Sequence, residues 1–222
     1  MMKHRLSLTS LILVIFILLT LQIFSQNPAP EIPKAQLPVL ITSAGQSPDV
    51  TTVNIIAEEA GVPYDYCDVP TVDLVKAGVG LADKESGPGF HVEIHSDLEK
   101  HPKGTAYKTM IFAIGASLKG MGASGLTVES ELKRLQSLID YCQKNNIFII
   151  AIHVGGASKR GAPGSDNERM IDAVAPFANL IIVTKDSNKD GRFDQIAQAK
   201  NIPLLQVDNA LEIVEIFKKI FL

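Results

Sequence analysis

Residues 146–170 read NIFIIAIHVGGASKRGAPGSDNERM. Ile147 to Ile152 form an unbroken apolar run. A strand with one wet face alternates apolar and polar residues, so a continuous run predicts a strand covered on both sides, as in a parallel sheet between layers of helices. The run ends at His153 in a glycine-rich loop that carries Lys159 and Arg160 and has no acid before Asp166. Ser165 and Glu168 then have the spacing of a capping box, which predicts a helix over SDNERMIDAVAPF.

The same alternation extends in both directions. PVLIT (38–42) precedes SPDVTTVNIIAEEAG, where Ser47 suits a cap, Pro48 a first helical position and Gly61 a stop. KTMIFAI (108–114) precedes TVESELKRLQSLIDYCQKNN, with Thr127 as cap and acids in the first turn. NLIIV and IPLLQV are followed by GRFDQIAQAKN and DNALEIVEIFKKIF, with Asp208 as cap of the latter. The pattern predicts an α/β domain: a three-layer, doubly wound, mainly parallel sheet, Rossmann-like, with the flavodoxin-type strand order. It occupies residues 38–222. YDYCDVP reads as a second strand, and residues 68–107 read as an irregular, Gly-rich excursion or flap.

The chain has 222 residues, 46% of them hydrophobic and 20% charged, and a net charge of −3. One domain fits that length. The charge gives no general attraction to nucleic acid or anionic lipid, and without Trp no base-stacking surface is expected. Lys3, His4 and Arg5 precede LSLTSLILVIFILLTLQIF (6–24), which contains no charge. This is an export pattern, so residues 1–25 read as a signal peptide or, uncleaved, a membrane anchor. The expected location is extracytoplasmic, with membrane contact only through residues 6–24. SQNPAPEIPKAQLP holds four prolines, so residues 26–37 read as an extended linker. Export permits a disulfide, but Cys142 falls on the apolar stripe Leu132, Leu135, Leu138, Ile139, Cys142 of a predicted helix; whether it pairs with Cys67 is left open.

In a doubly wound sheet, ligands bind outside the carboxyl ends of the strands. Four loops fall there: SAGQS (43–47), GASLKGMGASG (115–125), HVGGASKRGAPGS (153–165) and TKDSNKDG (184–191). They are rich in Gly and Ser and carry Lys119, Lys159, Arg160, Lys185 and Lys189. Glycines admit close backbone approach and helix N-termini add positive potential, so a small anionic solute is the expected ligand. The candidate contacts are Ser43, Gly45, Gln46, Ser47, Ser117, Lys119, His153, Lys159, Arg160, Asn188 and Asp190. His153 is also a candidate acid/base, since imidazole titrates near neutral pH. That leaves an extracytoplasmic hydrolase or transferase as the alternative, and a structural or partner-binding domain as a third reading. No G-x-S-x-G elbow supports a serine hydrolase.

Three cofactor patterns are weighed and not favoured. GMGASG (120–125) is literally G-x-G-x-x-G, but it lies after a later strand than a dinucleotide site requires, and the next strand ends in His153 rather than an acid. Asp186, Asn188, Asp190 and Gly191 resemble the start of a calcium loop, but the twelfth position is Ala197. HVEIH puts His91, Glu93 and His95 on one face of a strand, where zinc could bind but nothing fixes the geometry.

With LITSAGQSPD, GASLKGMGASG, HVGGASKRG and NKDG, the chain resembles a family of exported bacterial proteins described as a domain of unknown function. The resemblance covers roughly residues 38–222. It implies a secreted Rossmann-like domain and carries over no catalytic residue.

Overall fold

The computed structural model describes residues 32–222. The apolar segment 6–24 and the first part of the linker lie outside the described residues. The linker's end is not free: Ala35 N–H donates to the Ile220 carbonyl, and Gln36 exchanges hydrogen bonds with the Thr109 hydroxyl.

Seven strands form one sheet: β1 (Val39–Ala44), β2 (Tyr64–Cys67), β3 (Val92–Ile94), β4 (Thr109–Ile114), β5 (Phe148–His153), β6 (Leu180–Thr184) and β7 (Leu204–Val207). Their order is β3-β2-β1-β4-β5-β6-β7. Every neighbouring pair is parallel except β2 with β3. With β3 set aside, the parallel strands run in the flavodoxin-type order, with one strand added at the far edge. The helices are α1 (Asp49–Ala60), α2 (Val72–Ala77), α3 (Leu118–Ala123), α4 (Val128–Lys144), α5 (Asp166–Val174), α6 (Arg192–Lys200) and α7 (Ile213–Phe221).

The continuous apolar strands have the expected cause. Leu40, Met110, Phe112, Ile149, Ala151, Ile181 and Val183 pack into one core with Leu135, Leu138, Met170, Ile171 and Phe193 from α4, α5 and α6. The intervening residues Ile41, Ile111, Ile150 and Ile182 are equally buried on the opposite face, where α1 and α7 pack against each other. The excursion at 68–107 is ordered into α2, a turn at Leu81–Asp83 and the edge strand β3. It is anchored on the buried Asp65, whose carboxylate accepts from the Tyr107 hydroxyl (2.5 Å) and the Gly80 N–H (2.8 Å).

Helix ends differ in detail from the sequence reading. Thr127 caps α4 as expected, in a capping box closed by Ser130. Ser165 stands before α5 but makes no capping bond, and the reciprocal half of the box is absent too, because the Glu168 carboxylate turns to Arg160 and the Gly161 N–H. Asp208 pairs with Lys185, and Asn209 caps the turn that leads into α7. Cys67 and Cys142 are free, buried thiols, and burial pushes both up to about 12. Packed thiols, not a bridge, are therefore what the fold contains. Among the described residues, no helix is long and apolar enough to cross a membrane.

One buried ion pair ties α4 to the end of β1. Glu131, fully buried, accepts the Gly45 N–H at 2.8 Å and holds Arg134 through two bonds of 2.7 Å. Arg134 in turn donates to the Ser43 carbonyl at 2.7 Å. Removing one partner strands a buried charge and an amide together, so Glu131→Ala is expected to lower stability by about 3–5 kcal/mol. Urea unfolding would read this as a fall in midpoint at unchanged slope.

Candidate functional site

The chain turns left from β1 to β2 and right from β2 to β4, so the sheet's switch point lies between β1 and β4. The loops leaving these two strands are stitched together over that point. Gly115 N–H donates to the Ala44 carbonyl, and Ser117 N–H donates to the Gly45 carbonyl at 2.8 Å. Gln46 and Ala116 form an isolated antiparallel bridge. The stitching needs glycine at Gly45: its φ is +102°, and a Cβ there would stand 2.5 Å from the Gly115 carbonyl oxygen.

Beside the stitched loops opens a crevice of about 440 Å³, within the range of small-molecule sites. Ser43, Gln46, Ser47, Ser117 and Lys119 line it, joined by Tyr66 and Asp68 from the end of β2. Ser43 is 1% exposed, yet its hydroxyl has no hydrogen-bond partner among the described residues. Asn54, Ser96, Arg134 and Ser165 also hold a buried polar atom without a partner, but of the five residues only Ser43 lines the crevice. Lys119 is exposed at the mouth and belongs to none of the ion pairs among the described residues.

Gly45 holds the loop but does not line the crevice. Asp49, at the start of α1, accepts from the Ser47 hydroxyl at 2.7 Å and lies over Gly115 and Gly155, toward β5. Tyr66, Asp68, Asp49, Glu131 and Arg134 were not singled out from the sequence. Tyr66 on β2 and Asp68 just after it had one readable signal, the strand YDYC ending at the same rim.

The other half of the rim is closed upon itself. His153 is fully buried, with Nδ1 2.8 Å from the Ser187 hydroxyl and Nε2 3.2 Å from the Lys159 carbonyl. A carbonyl only accepts, so Nε2 carries the proton. Burial lowers this imidazole's pKa, although the bond to the Lys159 carbonyl works the other way. The geometry makes His153 a clasp between β5 and β6, without the access an acid/base needs. Arg160 is also turned inward. It binds Glu168 through two bonds, Asp190 through two more, and the Ser187 carbonyl at 2.6 Å. Burial works against this charge, and the bonds to Glu168 and Asp190 more than offset it, raising its pKa. Lys159 reaches the Ala116 carbonyl at 3.5 Å. Asn188 bonds Asp194 and the Phe193 N–H. These five expected contacts are thus apart from the crevice.

The cofactor patterns resolve in the same way. GMGASG spans most of α3 and its end, and Gly120 is small because the Gln46 carbonyl oxygen would lie 2.2 Å from a Cβ. Asp186, Asn188 and Asp190 are engaged separately by the Ala157 N–H, the Phe193 N–H and Arg160, so they do not converge on an ion. His91 and His95 both bond Glu93, at 2.7 and 3.0 Å, and these bonds lower the Glu93 carboxyl's pKa. Among the described residues, no group of three or more His, Cys, Asp or Glu is arranged to hold a metal ion.

A family profile described as "Domain of unknown function (DUF6305)" matches residues 36–221. The chain belongs to this family. The profile spans the whole sheet and its helices, including every residue of the crevice. No curated protein matches the chain. Among solved structures, the X-ray crystal structure of the YdjI aldolase from Escherichia coli K12 matches over 81% of this chain and 71% of its own, at 12% identity and a TM-score of 0.26. A likeness that slight carries no argument about fold or chemistry.

Two expectations separate packing from ligand roles. Gly120→Ala should destabilise the fold by about 1–3 kcal/mol through overpacking, whereas Gly122→Ala, which meets open space on the same helix, should stabilise it by about 0.5–1 kcal/mol. Arg160→Ala leaves Glu168 buried without its partner and should cost about 3 kcal/mol. Urea midpoints of the three variants check both.

Proposed function

We propose that this domain is a non-catalytic binding module for a small solute that carries an anionic group, held in the crevice at the β1–β4 switch point. The observation that carries the reading is the Ser43 hydroxyl: 1% exposed, unpartnered, and in the wall of a crevice whose mouth holds the unpaired Lys119. A ligand oxygen would give that hydroxyl the partner it lacks, and Lys119 would meet the ligand's negative charge. The supporting geometry is narrower than the sequence reading, since Arg160 is spent on the fold and Lys159 does not line the crevice. We also propose that the domain works outside the cytoplasmic membrane, a reading supported by the basic start and the apolar run at 6–24. The enzymatic alternative through His153 has little support, because both ring nitrogens are engaged inside the protein.

The test is a thermal-shift screen of the full chain, kept in mild detergent, against phosphate, di- and tricarboxylates, amino acids and nucleotides. A carboxylate- or phosphate-bearing solute present about 100-fold above its dissociation constant should add roughly 2.7 kcal/mol. Lys119→Ala should leave the free protein's Tm unchanged, because the side chain is exposed, and should weaken binding about tenfold. A blank panel on a cooperatively melting protein would sink the proposal and favour the partner-binding reading.

A further inference from the structure

Asp68 gives the crevice a second charge, opposite in sign to that of Lys119. Its position is fixed through its main chain: the Asp68 carbonyl accepts from Gln46 Nε2 at 2.9 Å and from the Thr42 hydroxyl at 3.2 Å. Its carboxylate accepts the His91 N–H on Oδ1 at 2.9 Å, and the residue lines the crevice. Burial raises this carboxyl's pKa, against the lowering effects of the His91 and Val69 amides, His91 and Arg134. The remaining polar lining, from Ser43, Gln46, Ser47, Thr51, Tyr66, Ser117 and Ser124, is uncharged.

This pairing restricts the ligand. A dianion such as phosphate or a dicarboxylate meets Lys119 on one side and a like charge on the other. A simple cation meets the reverse. A half-buried carboxylate gains most from a ligand that brings its own positive group, because the attraction offsets the desolvation.

Resting on the reading of the crevice as a solute site, we infer that its ligand is a small zwitterion of the amino-acid type, with its ammonium group against Asp68 and its carboxylate against Lys119. A crevice of about 440 Å³ suits a molecule of that size.

The experiment is titration calorimetry on the full chain in mild detergent. The probes are L-amino acids, each matched with its deaminated carboxylic acid and its decarboxylated amine, together with succinate and phosphate. The expected result is that one or more amino acids bind, with the matched acid and amine each at least about tenfold weaker. Asp68→Asn should weaken the amino acid about tenfold and leave the matched acid unchanged. If succinate, phosphate or the matched acid binds as tightly as the amino acid, the zwitterion is overturned and the anion site stands. If no probe binds to protein that melts cooperatively, both readings fall. The comparison among matched probes uses the unaltered chain, so it decides the question even if Asp68→Asn misfolds.

Discussion

A carboxylate with no exposed surface, Glu131, holds the working end of the sheet in place. Removing a carboxylate and a guanidinium from water costs several kcal/mol per ion, and only near-complete pairing offsets it. Glu131 and Arg134 approach that pairing by recruiting the main chain: one takes the Gly45 amide, the other the Ser43 carbonyl, and only Nη1 of Arg134 is left without a partner. The pair therefore fixes two alternate residues of the chain as it leaves β1. Gly45 and Gln46 can then sit at φ of +102° and +57°, and the turn can bridge to the loop after β4. The crevice inherits its shape from this arrangement.

The rim divides into a part that stabilises and a part that is open. Beyond β5, the side chains of His153, Arg160, Asn188 and Asp190 are consumed by one another or by Ser187, Glu168 and Asp194. Between β1, β2 and β4, hydroxyls and two opposite charges face a space that no protein atom fills. The closed half supplies rigidity at the end of the central strands, while selectivity toward a solute would rest with the open half.

The fold was legible because burial on both faces leaves a direct trace: runs such as IFIIAI and MIFAI without a polar break. Strand ends and the four rim loops followed from that. The partition of the rim was not legible, because a basic residue in a glycine-rich loop looks the same whether it faces solvent or an acid far along the chain. Arg160 meets Asp190 across 30 positions, and Arg134 meets Ser43 across 91. Spacing within a motif does not encode such distances. Asp68 was missed because it follows a short strand, and its meaning depends on Lys119, which another crossover delivers to the same place. The capping box at Ser165 failed for a related reason: Glu168 had a stronger partner in Arg160 than the local amide.

The last linker residues join the domain through α7 and the first residue of β4, at the amino ends of the strands. The crevice opens at the opposite pole. The segment that leads into β1 therefore leaves that opening clear.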